Sequence, residues 1–297
     1  MRWFGRRRQR EAGDIQTLAS PRFQWMGGRR YLTEAPYMLP AADSKEINRL
    51  DFQHYMLRYA LQGNYAALIG QPKDILDVGC GTGIWPMELA TTFPHANVIG
   101  VDISTPPMDS GMRADKRPEN YLFVTGDVLK GLSFPPASFD FVHQRLLMSA
   151  IPATRWQGVV NELARMTRPG GWIELVEASP VEGAPALDML KAWQVQLTAK
   201  RDIDIMIGTK IESFLKNAGL QNGATRQIHV PIGKQQGHVG AMSEANYFAV
   251  METLRGPMTA MGIAAPDIFD ETIRVAHAEI ASGKLVNVFY LSYGQVR

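Results

Sequence analysis

The sequence predicts an α/β protein in which a mostly parallel sheet carries helices on both faces. Short apolar runs alternate with stretches of helical periodicity between residues 75 and 178, and this alternation is typical of parallel strands joined by crossover helices. Several of the runs end in aspartate or histidine, and such sheets bind ligands at the carboxyl ends of their strands. We therefore expect a ligand site at that edge.

The first strand leads directly into a glycine-rich loop, ILDVGCGTG, residues 75–83. Gly79, Gly81 and Gly83 let the chain turn and leave no side chain between the backbone and a ligand. A dinucleotide fingerprint requires glycines at the first, third and sixth positions, but counted from Gly79 or from Gly81 the sixth residue is not glycine. The loop therefore lacks the spacing of a pyrophosphate site, and an ordinary tight turn is the alternative interpretation.

Four further strands follow the loop in order. Asp102 ends the second run roughly 20 residues past the loop, where a carboxylate can accept hydrogen bonds from both hydroxyls of a ribose. Helical periodicity lies between the strands at residues 84–93 and 153–168. The four strands are NVIGVDIS (97–104), YLFVTGDV (121–128), residues 139–143, and the turn and strand RPGGWIELVE (168–177).

The last third of the chain holds two β-rich stretches separated by a helical segment. The stretches are residues 225–232 and 285–293, and the segment between them contains candidate helices at 243–261 and 267–282. Apolar residues share one face of each candidate helix, so both helices must pack on something. Two interpretations are open. Either the helices form a lid over the pocket of a second substrate, with Tyr247 in contact with that substrate, or they are a purely structural addition.

Length and composition favour one soluble domain with appended helices. The chain has 297 residues, of which 45% are hydrophobic, enough for a sizeable core. We find no apolar stretch near the ~20 residues that a membrane span requires. The basic start MRWFGRRRQR has no apolar segment behind it, unlike a secretory signal, so we expect a cytoplasmic protein.

Cysteine and histidine usage excludes several chemistries. Cys80 is the single cysteine, so an internal disulfide cannot form, and its place in the glycine loop suits a nucleophile poorly. The six histidines do not have metal-ligand spacing, and we predict no metal among the site residues. Magnesium held by carboxylates stays open.

Charge is concentrated at the N-terminus. The first thirty residues carry eight arginines against two acids, a balance of +6 within a whole-chain charge of +2, so the remainder carries −4. Enzymes that act on nucleic acid need a basic surface beside the active site to hold phosphates. A nucleic-acid substrate is therefore disfavoured, and we interpret the basic segment as a solvated leader.

A helical arm is predicted between the basic leader and the first strand. Asp43 and Glu46 have the spacing of a capping box, and His54 lies on the apolar face of the helix that follows. A hydrogen-bonded core histidine and a catalytic histidine are the two interpretations of His54. Tyr37, just before the helix, either covers a ligand, because an aromatic face attracts cations, or packs the arm on the core.

The pattern Asp-x-Gly-x-Gly-x-Gly, which starts at Asp77, resembles the first motif of the class I methyltransferases, which bind S-adenosylmethionine. Residues 37–178, with YMLP, the helix that carries Gln53-His54, FDFVHQRLL and RPGGWIELVE, resemble the bacterial and fungal small-molecule branch that includes regulator-like proteins of fungal secondary metabolism. The resemblance implies a Rossmann-like seven-stranded sheet, mostly parallel, with an antiparallel last strand. It adds an N-terminal helical arm and a helical insertion before that strand.

The resemblance also implies which residues meet the cofactor. Asp127 is the position where the family places a carboxylate near the adenine amino group, although a turn-capping aspartate after Gly126 is the alternative. The expected cofactor-binding residues are Asp77, Gly79, Cys80, Gly81, Gly83, Asp102, Ile103, Asp127, Val128 and Gln144. The expected divisions of the chain are a basic leader (1–36), a helical arm (37–70), the core (71–233), a helical insertion (234–284) and the last core strand (285–297).

Methyl transfer to a hydroxyl or amine needs a base, and His143 at the end of the fourth strand is the first candidate, ahead of His54. A packed imidazole is the alternative for His143. Arg145 is expected to orient an anionic group of the acceptor, and pairing with a neighbouring carboxylate is the alternative. Tyr37 and Tyr247 are expected as further acceptor contacts. Residues 143–146 read His-Gln-Arg-Leu, whereas the methyltransferases that act on exocyclic base amines or on glutamine commonly carry an Asn/Asp/Ser-Pro-Pro-aromatic tetrad there.

We therefore predict an enzyme that methylates a small, largely apolar molecule with S-adenosylmethionine. Two alternatives stay open: an RNA or protein methyltransferase that uses the arginine-rich N-terminus, and a regulatory protein that binds S-adenosylmethionine without catalysis. The helical arm also offers a surface for homo-oligomer formation.

Overall fold

The computed structural model describes residues 23–26, 29–33, 37, 39–40, 44–104 and 117–297. Six of the eight N-terminal arginines lie outside the described residues, as does Asp43 of the predicted capping box. Of the basic segment, the structure describes a short hairpin, a feature that the sequence did not predict.

Nine strands and seven helices are described, joined by short 3₁₀ turns and loops. The strands are β1 (Phe23–Met26), β2 (Arg29–Leu32), β3 (Asp74–Val78), β4 (Asn97–Asp102), β5 (Tyr121–Thr125), β6 (Phe139–Arg145), β7 (Thr167–Ala178), β8 (Gln221–Ile232) and β9 (Leu285–Gln295). The helices are α1 (Ser44–Leu61), α2 (Ile84–Thr92), α3 (Trp156–Met166), α4 (Pro185–Ala199), α5 (Ile211–Asn217), α6 (Gly237–Ala260) and α7 (Pro266–Ser282).

Strands β3 to β9 form one seven-stranded sheet in the order β5-β4-β3-β6-β7-β9-β8. The pairs from β5 through β7 are parallel, and β9 runs antiparallel to both neighbours. The chain moves outward from β3 to β5 and then crosses to β6 on the other side of β3. This reversal opens a crevice at the carboxyl ends of β3 and β6, where open α/β sheets bind ligands. The predicted seven-stranded fold is confirmed.

Each face of the sheet is covered by its own apolar cluster. On one face α3 and α5 pack on the central strands through side chains that are almost fully buried, including Trp156, Leu163 and Ile211. On the other face α2 packs through Trp85 and Leu89. The apolar positions of α3 recur at the spacing that the sequence showed, so this helix follows from its own periodicity.

The predicted helical insertion packs on a helix that the sequence did not predict. Helices α6 and α7 bury Tyr247, Met251 and Phe269 in one cluster with Leu190 and Trp193 of α4. The insertion therefore has a core of its own, beside the sheet. No helix among the described residues is long and apolar enough to cross a lipid bilayer.

Helix α1 buries the apolar face that the sequence predicted. The helix lies over the crevice at the carboxyl ends of β3 and β6. Met56 and Leu57 pack with Phe289 of β9 and Val230 of β8. The β1–β2 hairpin reaches α6, because Arg29 Nη1 donates to Thr253 Oγ1 at 2.9 Å and the Tyr31 hydroxyl donates to the Thr253 carbonyl at 3.2 Å. Arm, hairpin and insertion thus meet over the carboxyl edge of the sheet.

Candidate functional site

In the loop after β3, three glycines have left-handed backbone conformations that other residues rarely adopt. Gly79, Gly81 and Gly83 have φ angles of +69°, +53° and +78°, values that side chains rarely adopt. A β-carbon at Gly79 would lie 2.5 Å from Leu147 Cδ2, and one at Gly83 would lie 2.6 Å from the Tyr121 hydroxyl. At Gly81 the nearest atom would be Leu50 Cδ1 at 3.7 Å, an ordinary contact distance, so among these three glycines Gly81 is the one with room for a β-carbon.

Asp102 ties the loop to the end of β4. Its Oδ2 accepts from the Gly81 N–H at 2.9 Å, and its Oδ1 accepts from the N–H and hydroxyl of Ser104 at 3.0 and 3.2 Å. Burial raises the pKa of Asp102, although these donors oppose the shift and Asp77 adds to it. The carboxylate has lone pairs left for a ligand, and it lines the cavity described below.

His143 does not face the acceptor side, and the prediction that it acts as the base is corrected. It pairs in register with Asp77 on the neighbouring strand, and its Nδ1 lies 2.8 Å from Asp77 Oδ1. The imidazole stacks on the Trp85 ring at 3.9 Å between centroids and is 1% exposed. A strand side chain held against the α2 face cannot reach the cavity, so His143 orients Asp77.

His54 and Arg145 form a second polar pair at the crevice. Arg145 Nη2 lies 2.8 Å from His54 Nδ1, and His54 Nε2 lies 3.2 Å from Glu88 Oε2. Burial lowers the pKa of His54 to about 4, and the nearby Arg145 charge acts in the same direction. His54 is therefore neutral at pH 7 with both ring nitrogens facing partners. His54 contacts Arg145 and lines the cavity described below, and a catalytic role for His54 stays a prediction.

A cavity of about 610 Å³ lies at the carboxyl ends of β3, β4 and β6, below α1 and beside α4 and α6. Its volume falls in the range of small-molecule sites. Most of the predicted site residues line it together: Tyr37, His54, Asp77, Gly79, Cys80, Gly81, Asp102, Ile103, Asp127, Val128, Arg145 and Tyr247. The topology therefore brings residues from both halves of the chain to one place.

Three predicted residues do not line the cavity. They are His143, Gly83 beneath Tyr121, and Gln144. Gln144 is fully buried, and its amide atoms have no hydrogen-bond partner within the described residues. Side chains along a strand point alternately to the two faces of the sheet, so Gln144 lies on the face opposite to that of His143 and Arg145. A contact of Gly83 or Gln144 with the cofactor stays a prediction.

Asp127 caps a turn, as one of its two interpretations predicted, and it also lines the cavity. Its Oδ1 accepts from the Leu129 N–H at 3.0 Å, which starts a short 3₁₀ turn, and Lys130 Nζ lies 3.4 Å from its Oδ2. The cap accounts for this aspartate without a ligand. A contact with an adenine amino group stays a prediction.

Glu177 of β7 is a site-shaping residue that the sequence reasoning missed. Its two carboxylate oxygens accept from the N–H groups of Leu147 and Met148 at 2.8 and 3.1 Å, and both of those residues line the cavity. Burial raises the pKa of Glu177 to about 8. A signal was present, because an acidic residue in the apolar strand WIELVE requires polar partners.

A buried ion pair on α1 completes the wall near the loop. Glu46 accepts from Arg49 through both oxygens, at 2.6 and 3.1 Å, and Arg49 Nη1 also reaches Asn246 Oδ1 at 3.4 Å. Burial raises the pKa of Tyr37, and the Glu46 carboxylate adds to the shift. Tyr37 is therefore a neutral hydrogen-bonding group at pH 7.

The residues around the loop suit a cationic nucleoside better than a phosphate. Asp77 is buried and Asp102 is half-buried, and both line the cavity together with Gly81; a carboxylate in a low-dielectric site attracts cations and repels anions. A β-carbon at Gly81 would meet no atom closer than 3.7 Å. A sulfonium nucleoside such as S-adenosylmethionine therefore fits the charge and the shape of this half of the cavity.

Comparison with known proteins agrees with this chemistry. Residues 75–171 match a family model described as "Methyltransferase domain". Methyltransferase str3 of Strobilurus tenacellus is 30% identical over 207 residues, which are 67% of this chain and 72% of that protein. The N-methyltransferase sirN of Leptosphaeria maculans is 28% identical and covers 79% of this chain and 84% of its own.

Regulatory and structural relatives extend the comparison. The secondary metabolism regulator laeA of Coprinopsis cinerea is 35% identical over 48% of this chain and 36% of that protein. Among solved structures, phosphoethanolamine N-methyltransferase 2 of Haemonchus contortus in complex with S-adenosyl-L-methionine superposes with a TM-score of 0.50. It is 15% identical and covers 84% of this chain and 52% of that chain, so it supports the fold alone.

We predict that His54 makes the protein less stable as the pH falls. In the folded protein His54 takes up a proton near pH 4, whereas in the unfolded chain it does so near pH 6.5. Between these two pH values the unfolded state binds more protons, so the free energy of unfolding decreases as the pH falls. Urea unfolding of the wild type and His54→Gln at pH 7, 6, 5 and 4.5 measures this. The wild type is expected to lose more stability than the variant, and parallel curves would refute the assignment.

Proposed function

Because the chain belongs to the class I S-adenosylmethionine-dependent methyltransferases, we propose that it methylates a small, largely apolar molecule of secondary metabolism. The observation that carries the proposal is the cavity itself, which continues from the glycine loop into a mainly apolar half lined by α1, α4, α6 and β9. Its relatives include a fungal methyltransferase and a fungal regulator that is named for secondary metabolism.

S-adenosylmethionine supplies an activated methyl group carried on a positively charged sulfur. In the chain, Asp77, the backbone from Gly79 to Gly81, and Asp102 would hold it, with Ile103 and Val128 as apolar contacts. His143 fixes the carboxylate of Asp77 from behind. These assignments rest on the position of each residue around one loop.

The acceptor half is proposed to act by orientation and by exclusion of water. A positioned acceptor reacts far faster than a freely diffusing one, and a dry site strengthens the electrostatic interactions within it. Arg145 is held in place by His54, and the segment after β6 is held by Glu177. Neither histidine is assigned as a base, so the residues that act on the acceptor do so mainly by placing it.

Helix α6, with the β1–β2 hairpin across it, serves in this proposal as a lid over the acceptor. It contributes Asn246, Tyr247, Val250, Met251 and Leu254 to the cavity wall. Arg29 bonds Thr253 of α6 and lies 3.8 Å from Glu46 of α1. One of the N-terminal arginines is thereby engaged within the fold, where it does not form part of a surface for nucleic acid.

The substrate class is tested by following the methyl group. The purified protein is incubated with tritium-labelled S-adenosylmethionine and an extract of its host, separated into small molecules, RNA and protein. We expect the label in the organic-soluble small molecules because the acceptor half of the cavity is lined mainly by apolar side chains. Label in RNA or protein would contradict the proposal, and a Gly81→Val variant controls for transfer by contaminants.

The cofactor assignment is tested by Asp102→Ala. Loss of a charged hydrogen-bond partner is expected to weaken S-adenosylhomocysteine binding by about 1–3 kcal/mol, roughly 5- to 150-fold in affinity. Isothermal titration calorimetry measures it, and Asp267→Ala in the exposed first turn of α7 serves as the matched control. Equal affinity in Asp102→Ala and wild type would remove Asp102 from the site.

A further inference from the structure

Arg145 places a positive charge in the cavity wall that the described part of the chain does not pair with a carboxylate. It is the last residue of β6, and it lines the cavity. Its one direct side-chain partner within the described residues is the neutral His54, at 2.8 Å. The two carboxylates whose charges act on Arg145 have other direct partners, since Asp77 contacts His143 at 2.8 Å and Glu88 contacts an exposed arginine of α1 at 2.6 Å.

Two nitrogens of the Arg145 guanidinium are left over for a ligand. A guanidinium has five N–H donors on three nitrogens, and only Nη2 contacts His54. Nε and Nη1 make no hydrogen bond within the described residues, yet neither is closed off from solvent. The side chain is half-buried in the wall of the cavity. Its unused donors are therefore open to a bound molecule.

Arg49, a second arginine in the same wall, shows the effect of an internal partner. Burial acts to lower the pKa of Arg49, but its hydrogen bonds to Glu46 outweigh burial, and the pKa is raised. At Arg145 burial lowers the pKa, and the charges of Asp77 and Glu88 oppose this shift without offsetting it. Arginine keeps its proton at pH 7, so Arg145 holds a buried charge that an anion would stabilise.

We infer that Arg145 binds a carboxylate inside the cavity. An N–H bond from a guanidinium to a carboxylate is stronger than a bond between neutral groups. A singly charged anion fits better than a phosphate, because Asp77 and Asp102 line the same cavity and repel a larger negative charge. This inference rests on the proposed function, in which two molecules can carry the group: S-adenosylmethionine, through its amino-acid end, and the acceptor.

The first arm of the experiment tests the cofactor as the source of the carboxylate. S-adenosylhomocysteine and methylthioadenosine, which lacks the amino-acid end, are titrated by calorimetry into the wild type and Arg145→Gln. If the cofactor supplies the group, the variant binds S-adenosylhomocysteine roughly 12- to 160-fold more weakly. Its affinity for methylthioadenosine is expected to be unchanged, which also shows that the variant is folded.

The second arm tests the acceptor as the source. Naphthalene-2-carboxylate and naphthalene-2-carboxamide, an uncharged analogue of similar shape, are titrated into both proteins saturated with S-adenosylhomocysteine. If the acceptor supplies the group, the wild type binds the carboxylate at least tenfold more tightly than the carboxamide. Arg145→Gln is then expected to lose this preference while its affinity for S-adenosylhomocysteine stays at the wild-type level.

A matched control removes the same charge far from the cavity. Arg274→Gln changes an arginine of α7 whose side chain is 71% exposed, and it is expected to behave as the wild type in both arms. Arg145→Lys keeps the charge, so we expect it to lose less affinity for the carboxylate ligand than Arg145→Gln does. An equal loss in these two Arg145 variants would contradict a role of the charge.

The inference is overturned if neither arm responds to Arg145→Gln, and absence of probe binding with unchanged S-adenosylhomocysteine affinity counts as this result. Equal losses for S-adenosylhomocysteine and methylthioadenosine would show a purely structural role and would overturn it as well. The wild type gives a test that does not depend on the folding of a variant. If it prefers neither S-adenosylhomocysteine over methylthioadenosine nor the carboxylate over the carboxamide, the inference is wrong.

Failure of this inference can be told from failure of the proposed function by the tritium assay. If the label enters small molecules while Arg145→Gln changes no affinity, only the carboxylate assignment is wrong. Label in RNA or protein would instead refute the proposed function.

Discussion

The site depends on one constraint, the tight left-handed turn after β3 that is tied to the end of β4. Gly79 and Cys80 both donate to the Val101 carbonyl, at 2.8 and 3.0 Å, and Gly81 donates to the Asp102 carboxylate at 2.9 Å. These bonds hold the backbone of the loop against the end of β4. Asp77 and Asp102 therefore enter the same cavity on either side of Gly81, and the charge of that cavity follows from the turn.

Buried acidic residues position the rest of the site by binding backbone. Glu177 holds the segment after β6, and Glu174, which is next to His143 in the sheet, accepts from the N–H groups of Ala66 and Ala67 at 2.7 and 2.8 Å. Both lie in β7, one strand away from the cavity. Glu177 therefore fixes part of the cavity wall, because Leu147 and Met148 line the cavity, and Glu174 fixes the segment that follows α1.

The sheet, its order of strands and the loop were predictable because their signals are local. Glycine spacing, strand runs and the period of α3 each lie within a few residues of one another. Helix α4 was missed although Pro185 suits a first helical turn. Its start has no capping side chain of its own, and the Ala186 N–H is instead satisfied by Glu279 of α7, 93 residues away, at 2.9 Å. Contacts over such distances are not written in any local pattern.

Side-chain direction explains the correction of His143 at the site. His143 and Arg145 lie two residues apart on one face of β6, yet His143 packs against Trp85 of α2 while Arg145 reaches His54 of α1. The sequence places both at the carboxyl end of a strand and cannot tell which helix covers each.

A crystal structure of the protein with S-adenosylhomocysteine tests the central claim most directly. We expect the ribose hydroxyls within hydrogen-bond distance of the Asp102 carboxylate, about 2.6–3.2 Å, with the adenosyl group along the backbone at Gly81. Adenosyl density elsewhere, or a crevice at Gly81 filled by the side chains of the protein itself in the presence of saturating ligand, would contradict the claim.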